Sequence, residues 1–350
     1  MNAKTILWAL LGLLGWSCNP PQPVDQVQVP APTGSQPPLS PSLTRVVAAL
    51  VADSLVTGKY VGAAGELSAQ WTRYERLQQE ATDAELVALT HHTNGVIRCY
   101  AFRALATAQP ANAFSLLLAH LHDTAQVKIL SGCIGGREYV GDYFVGALKL
   151  RYSDTDGDPF RARQQQILDS VLVHDPSIVL SARYGAITRL PPTAVNYQTI
   201  RNLVVQERSE PALELLARYR RPADKQLIAS FFAAEATQYA ALQAVHHYPD
   251  LYFYPFVKAV FAQEWADDHY DYQKWKYCYQ ALAHYPNPTV LGLFEQTVRC
   301  PDAYRREYLS PLLWLAIART PAPLWTTVRA HIQLSPDELA KAQAELQASN

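Results

Sequence analysis

Apolar residues recur at helical spacing along most of the chain. Residues Thr44 to Thr57 (TRVVAALVADSLVT) carry them at positions i, i+3 and i+4, and Gly58 follows as a plausible helix stop. The same periodicity continues over Leu67 to Gln79. The pattern therefore predicts a chain built mainly from amphipathic helices that bury one face.

Two helices joined by a tight turn are predicted between Asp83 and Ala108. Thr82 and Glu85 form a capping-box signature before the first helix. Asn94-Gly95 then breaks the chain, and a second helix begins at Val96. A helix of about ten residues, a turn and a second helix with an arginine near its start resemble a HEAT repeat.

Six predicted helices end in small and apolar residues followed by a proline. These prolines are Pro110, Pro191, Pro222, Pro249, Pro286 and Pro321. From Pro191 onward they are separated by 31, 27, 37 and 35 residues, which are lengths typical of helix pairs. The resemblance implies an all-α fold, an α-α superhelix of HEAT-like pairs over residues 43–350, whose last helix opens at Ser335 and carries a polar outer face.

One segment interrupts the helical pattern. Val127 to Tyr152 contains five glycines with β-branched and aromatic residues between them, which is poor helix material. We expect a short hairpin or a long structured loop within an insertion at residues 127–160, with helices resuming near Phe160. Insertions into helical repeats often carry the binding function.

The first residues are typical of a targeting segment. Lys4 precedes the uncharged apolar run Thr5 to Trp16, which is too short to span a bilayer. The run ends in Leu14-Gly15-Trp16-Ser17-Cys18, which resembles a bacterial lipobox, although Trp16 departs from the commonest pattern. The resemblance implies that residues 1–17 are a lipoprotein signal peptide and that Cys18 carries a lipid. An ordinary cleaved signal peptide is the alternative.

A proline-rich stretch follows the lipobox. Asn19 to Ser42 holds eight of the 24 prolines, so residues 18–42 are predicted to be a lipidated cysteine with an extended tether. Asn19 follows the cysteine without an acidic cluster behind it. By similarity to known sorting signals, this favours a membrane anchor in the outer membrane, facing the periplasm.

Composition excludes some classes of partner. Hydrophobic residues make up 49% of the chain, which is ample for a core, and charged residues only 17%. The formal net charge is −1, and the basic residues are scattered along the chain. Because nucleic-acid binding needs a concentrated basic surface, we expect no nucleic-acid partner.

The residues with reactive or metal-binding side chains form no coherent site in the sequence. Cys99, Cys133, Cys278 and Cys300 permit disulfides without specifying a pairing. Cys133 is flanked by glycines and is a weak candidate nucleophile, with His120, His122 or His174 as its base. The paired histidines lack ligand spacing, and residues 154–158 fit an Asp/Gly turn better than a calcium loop. We therefore expect no enzyme, no cofactor and no metal.

The densest aromatic stretch is Trp265 to Tyr279 (WADDHYDYQKWKYCY). Its aromatic side chains, together with two earlier tyrosines, could line a groove for a peptide or a glycan. The candidate binding residues are Trp265, Tyr270, Tyr272, Trp275, Tyr252 and Tyr254. Core packing of helices that are buried on both sides explains the same residues and is the favoured alternative.

These observations predict a lipoprotein that acts as a non-catalytic scaffold for an envelope protein or peptide. The extended surface of a helical repeat array and the absence of a catalytic set of residues support this function. Two alternatives remain open: an envelope enzyme or accessory subunit that uses the Gly-rich insertion, and a polysaccharide-binding lipoprotein.

Overall fold

The structure is a computed structural model that describes residues 39–108, 110–148, 159–267 and 270–348. The predicted signal peptide, Cys18 and nearly all of the tether lie outside these residues, as does the Asp/Gly turn at 154–158. Helices account for 71% of the described residues, so the chain is mostly helical as predicted. It divides into two compact units, one ending at Gln164 and the other beginning at Gln165.

The first unit combines six helices with four strands among its described residues. Its elements are α1 (Pro41–Asp53), β1 (Leu55–Val61), β2 (Glu66–Leu67), α2 (Ala69–Glu80), α3 (Asp83–Leu89), α4 (Gly95–Ala108), α5 (Pro110–Ala119), β3 (Gln126–Gly132), β4 (Ile134–Tyr139) and α6 (Val140–Leu148). The helices pack around a core that includes Leu50, Tyr100, Phe102 and Phe144, all fully buried.

Local signals set the helix ends in this unit. The Ser40 hydroxyl accepts a hydrogen bond from the Leu43 amide at 3.2 Å and caps α1. Thr82 and Glu85 form the predicted capping box at the start of α3. Between α3 and α4, Arg98 donates to the His92 carbonyl at 2.7 Å and to the Asp123 carboxylate at 3.0 Å, which fixes the turn between the two helices.

The four strands form one small mixed sheet in the order β2-β1-β3-β4. β1 pairs with β3 in parallel, from Leu55 opposite Lys128 to Thr57 opposite Leu130, and the other pairs are antiparallel. Gly95, the first residue of α4, lies against β3 so closely that a Cβ atom would meet Val127 Cγ1 at 2.8 Å. Only glycine fits at this position without displacement of the strand.

This sheet corrects three sequence predictions. The helix predicted to reach Thr57 ends at Asp53, because Leu55 to Thr57 pair with β3 as a strand. The Gly-rich segment forms a hairpin, which was one of the two expected structures, but its strands extend a sheet that begins with β1. The insertion predicted to be non-helical over residues 127–160 contains α6, so helix resumes at Val140, well before Phe160. Because of the sheet, the fold is mostly helical instead of all-α.

The second unit is helical throughout its described residues, apart from loops. Its helices are α7 (Pro159–His174, within which the division falls), α8 (Ser181–Thr188), α9 (Tyr197–Glu207), α10 (Glu210–Arg218), α11 (Lys225–Ala229), α12 (Glu235–His247), α13 (Tyr254–Ala266), α14 (Tyr272–Ala283), α15 (Pro288–Val298), α16 (Ala303–Arg319), α17 (Thr326–His331) and α18 (Pro336–Ala348). Four short 3₁₀ turns connect them, at Pro222–Asp224, Ser230–Ala233, Leu251–Phe253 and Pro323–Trp325.

Helices α8, α10, α12, α14, α16 and α18 contact one another in succession, and we call them the even row. The odd-numbered helices α9, α11, α13 and α15 each pack against the even-row helix that follows them. The prolines at 191, 222, 249, 286 and 321 each lie two to four residues past the end of an even-row helix. Proline cannot continue a helix, so the repeated ending seen in the sequence marks this row.

The last helix begins at the predicted position. The Ser335 hydroxyl accepts a hydrogen bond from the Glu338 amide at 3.3 Å, and the Glu338 carboxylate accepts one from the Ser335 amide at 2.8 Å. These reciprocal bonds form a capping box before Pro336. Ala342 is the one fully buried residue of this helix, in keeping with a polar outer face.

None of the helices in the described ranges is long and apolar enough to cross a membrane.

Candidate functional site

The helices in the middle of the even row leave only a narrow exposed stripe, which α10 illustrates. On α10, Glu210, Glu214 and Arg218 are at least partly exposed, and the six residues between them are all buried. A spacing of four residues places these side chains on one line along the helix. Because α8 and α12 pack against the two sides of α10, this line of side chains is the part of the helix that a binding partner can contact.

Tyrosines occupy the stripe on three helices of the row. Tyr184 on α8 is 60% exposed, and Tyr239 on α12 and Tyr277 on α14 are partly exposed. The rings of Tyr239 and Tyr277 are 5.2 Å apart at an interplanar angle of 83°. This edge-to-face contact joins neighbouring helices of the row and leaves part of each ring facing solvent.

The surface that carries these three tyrosines is called the tyrosine face, and its side chains interact electrostatically. Burial raises the pKa of Tyr184, and Glu214, Glu210 and Tyr277 on later helices add to the rise. Burial, followed by Tyr277, raises the pKa of Tyr239, and Tyr184 contributes to the same shift. The three phenols therefore influence one another along the row.

A cluster of charged and histidine side chains borders the tyrosines. The Glu214 carboxylate lies 3.0 Å from His247 Nε2 and accepts a hydrogen bond of 2.7 Å from Arg218. The contact with His247, followed by that with Arg218, lowers the pKa of Glu214 to about 2. Glu214 is therefore ionised throughout the physiological range.

Two further histidines, His246 and His284, form a pair beside this cluster. His246 Nδ1 is 3.3 Å from His284 Nε2, which links α12 to α14. Burial lowers the pKa of His246 to about 4, and the neighbouring His247 and His284 contribute to the shift. Burial also lowers the pKa of His284, so both rings are held in their neutral form near pH 7.

The cluster continues to the end of the row. Lys276 Nζ on α14 lies 2.5 Å from a Glu345 oxygen on α18, and Arg319 Nη2 on α16 lies 3.7 Å from the same oxygen. Burial and the Glu345 carboxylate raise the pKa of Tyr272. Groups of three or more histidine, cysteine, aspartate or glutamate residues arranged to hold a metal ion do not occur among the described residues.

Three of the predicted binding residues gather at one place. Arg305 stacks over Trp265, with 5.0 Å from its guanidinium carbon to the ring centre, and donates to the Tyr270 hydroxyl at 3.1 Å. Tyr272 reaches the same patch through Tyr308, at 6.4 Å between ring centres. These aromatic residues are partly or largely exposed and form a second surface of the unit.

The other three predicted residues lie in the core or elsewhere on the surface. Trp275 is fully buried and packs edge-on against Phe261 at 5.3 Å and against Trp265 of the patch at 6.1 Å. It therefore supports the patch from the core, and its assignment to the lining of a groove is corrected. Tyr252 is 43% exposed in the 3₁₀ turn before α13, and the half-buried Tyr254, the first residue of α13, packs on Tyr285 at 5.4 Å. The six residues therefore do not line a single groove.

The four cysteines among the described residues are free thiols. Cys99, Cys278 and Cys300 are buried, and Cys133 is exposed in the turn of the β3–β4 hairpin. Burial raises the pKa values of Cys99 and Cys278, so both remain protonated. Within the described ranges, Cys133 makes no hydrogen bond to a histidine that could activate it, and His120 instead packs against Phe144 at 4.9 Å.

Sequence reasoning missed the tyrosine face, although one signal for the adjacent cluster was present. The second residue before each even-row proline is basic. These residues are Arg189, Arg220, His247, His284 and Arg319. Alignment of the helix endings on their prolines would have placed five cationic or histidine side chains at the same end of successive helices. Tyr184, Tyr239 and Tyr277 lie at different distances from the prolines that follow them, so the same alignment would not have found them.

No known protein family, curated protein or solved structure matches this chain.

Proposed function

We propose that this protein is a membrane-anchored lipoprotein that serves as a non-catalytic scaffold and binds a protein or peptide in the cell envelope. The tyrosine face carries this proposal. Tyr184, Tyr239 and Tyr277 come from three helices of the row, and their phenols influence one another. Tyrosine is enriched at binding surfaces because its ring supplies apolar contact area and its hydroxyl a hydrogen bond.

A HEAT-like solenoid is the architecture that we propose for residues 165–348. Successive contacts along the even row, each helix with an odd-numbered partner, match the stacking of two-helix repeats. The proline spacing of 27 to 37 residues is compatible with such repeats. Solenoids of this kind present a concave surface to extended partners, and a peptide chain fits the narrow exposed stripe.

The charges of the face favour a polar peptide as the ligand. Glu214 carries its negative charge near the tyrosines, whereas Lys276 and Arg319 lie with Glu345 toward the other end of the row. A partner that offers hydrogen-bond donors to Glu214 and apolar side chains to the tyrosines would complement this surface.

The anchor in this proposal is a lipid on Cys18, with residues 18–42 as the tether and the outer membrane, facing the periplasm, as the location. The lipobox-like Leu14 to Cys18 supports it. A lipid anchor with a proline-rich tether would hold the binding face at a distance from the bilayer.

A site-specific crosslinking experiment tests the scaffold function. A photo-crosslinking amino acid replaces Tyr184 on the tyrosine face in living cells. In a matched control it replaces Val205, which is 42% exposed on the odd-numbered helix α9. We expect one dominant protein adduct from position 184 and none from position 205. Equal adducts from both positions, or none from either, would contradict the proposal.

A further inference from the structure

A cleft of about 520 Å³ opens in the first unit, away from the residues considered above. Its walls come from β1, α2, α4, the β3–β4 hairpin and α6. Clefts of about 300–1,000 Å³ are typical of small-molecule sites. The hairpin that forms part of the wall is the Gly-rich segment that the sequence marked as an insertion.

Arg103 of α4 is the one basic residue that lines the cleft. Its guanidinium carbon lies 4.4 Å from the centre of the Trp71 ring and 5.4 Å from that of Tyr74. Stacking on two aromatic rings fixes the position of the guanidinium and leaves its edge free to form hydrogen bonds. The cation is thus held in place before any ligand arrives.

The hydrogen-bonding capacity of Arg103 is mostly unused. Nη1 donates to the Thr57 carbonyl and to the Tyr143 hydroxyl, both at the long distance of 3.4 Å. A guanidinium has five N–H donors. No carboxylate of the described residues lies within ion-pair distance of Arg103, in contrast to Arg73, Arg98 and Arg183. The charge of a partly buried arginine is normally matched by an acid.

The acidic residues of the cleft are directed elsewhere. Glu75 accepts a hydrogen bond of 2.7 Å from the Trp71 indole nitrogen. Burial, together with the nearby Asp142, raises the pKa of Glu138. Neither carboxylate neutralises Arg103, and the protonated form of Glu138 is favoured relative to an exposed glutamate.

The rest of the cleft is largely apolar. Val56 and Ile129 lie in the paired section of β1 and β3, and Leu130 and Ala147 extend the apolar wall. The Trp71 and Tyr74 rings add aromatic surface beside the guanidinium. A ligand with an apolar body and one anionic end matches this combination.

We propose that this cleft is a binding site for a small carboxylic acid with an apolar or aromatic body. The carboxylate accepts paired hydrogen bonds from Nη2 and Nε of Arg103, in the two-point geometry that guanidinium and carboxylate share. The body lies on Trp71 and against the apolar wall of Val56 and Ile129. The Tyr143 hydroxyl lies beside the anion and supplies a further donor.

Calorimetric titration of the full-length chain in detergent tests this proposal. The probes are 3-phenylpropionate, indole-3-acetate and octanoate, with 3-phenylpropanamide as the neutral match of the first. We expect at least one acid to bind with a Kd below about 1 mM, a range that calorimetry detects. We expect the amide to bind at least about tenfold more weakly than its acid, because hydrogen bonds to charged groups are the stronger ones.

Two variants test whether Arg103 supplies the site. Arg103→Gln removes the cation, and Arg76→Gln makes the same change at an exposed arginine of α2 that pairs with Glu80 outside the cleft. We expect at least about a tenfold loss of acid affinity in the first variant and no change in the second. Circular dichroism verifies that both variants are folded.

A third variant covers the case in which Arg103→Gln does not fold. Gly146 of α6 lines the cleft, and nothing lies within 4 Å of a Cβ atom placed there. Gly146→Trp places its Cβ atom in open space on a helix and should direct the indole into the cleft, and circular dichroism verifies that this variant is folded as well. Three results would each overturn the proposal: no binding of any acid, equal binding of acid and amide, or unchanged binding in Gly146→Trp.

Discussion

The carboxylate of Glu214 on α10 and the imidazole of His247 on α12 lie 3.0 Å apart, across two adjacent helices of the even row. Arg218 completes the group from the next turn of α10, at 2.7 Å from the same oxygen. Glu214 is consequently a point at which one helix of the even row is held to the next.

Substitution of Glu214 should loosen this junction. Glu214→Gln removes the charge that His247 and Arg218 share, and we expect a loss of about 1–2 kcal/mol in the free energy of unfolding at pH 7. Glu210→Gln, one turn earlier on the same stripe, is the matched control and should change it by less than about 0.5 kcal/mol. Urea unfolding followed by tryptophan fluorescence measures both, and equal effects would show that the junction contributes nothing specific.

Acidification should destabilise the protein through His246. The pKa of this histidine is about 4 in the folded chain and 6.5 when it is exposed, so folding disfavours its protonated form. Above pH 6.5 the histidine is neutral in both states and the free energy of unfolding is unaffected. As the pH falls toward 4, the unfolded chain binds a proton that the folded chain does not, and the free energy of unfolding is lowered by about 2 kcal/mol at pH 5.

The comparison of wild type with His246→Gln isolates this contribution, because His247, His284, Glu214 and Arg319 remain around the site. Between pH 7.5 and pH 5, the wild type should lose about 2 kcal/mol more than the variant. Parallel pH profiles for the two proteins would refute the assignment. Glu214 acts at lower pH, since its contribution is present above 4.5 and is lost as the pH falls toward 2.

A buried ion pair should give large single-mutant effects that cancel in the double mutant. Lys274 Nζ lies 2.5 Å from Glu264 Oε1, and both side chains are more than nine-tenths buried. Lys274→Met or Glu264→Leu alone leaves a buried charge without its main partner and should cost about 3–5 kcal/mol. The double substitution should recover most of that loss. Additive effects in a double-mutant cycle would mean that the two charges do not interact.

Trp275 and Tyr304 provide a test of which aromatic residues belong to the core. Trp275→Ala empties a fully buried site and should cost about 3–5 kcal/mol of stability. Tyr304 is 65% exposed and packs against Tyr270 at 5.5 Å between ring centres, and it should tolerate alanine within about 0.5 kcal/mol. Thermal or urea unfolding distinguishes the two variants. A loss of stability in Trp275→Ala as small as that in the Tyr304 variant would show that Trp275 does not belong to the core.

The lipid anchor is tested at the cysteines. Metabolic labelling with an alkyne-bearing fatty acid should mark the wild type and Cys133→Ala, whose thiol is exposed in the hairpin turn. Cys18→Ala should carry no label and should leave the membrane fraction. Label that persists in Cys18→Ala would exclude lipidation at that residue.

Sequence reasoning succeeded where the determining contacts are local. The capping box at Thr82, the second one at Ser335 and the terminating prolines were each visible as short patterns. It failed where the structure of a segment depends on a partner that is distant in the sequence. Leu55 to Thr57 continue an amphipathic pattern, yet they form a strand because β3, more than sixty residues later, pairs with them. Trp275 resembles its exposed neighbours in sequence and differs from them only in what packs around it.

By itself, the sequence determined that this protein is mostly helical, where many of its helices begin and end, and that prolines recur just past helix ends along its second half. Hydrophobic period, caps and prolines act within a few residues, so these features require no knowledge of the fold. Only the tertiary structure decided that Tyr184, Tyr239 and Tyr277 share one face of the even row and that Arg103 lies in a cleft. Both arrangements depend on how helices and strands far apart in the chain pack, and packing is a property of surfaces that meet in space.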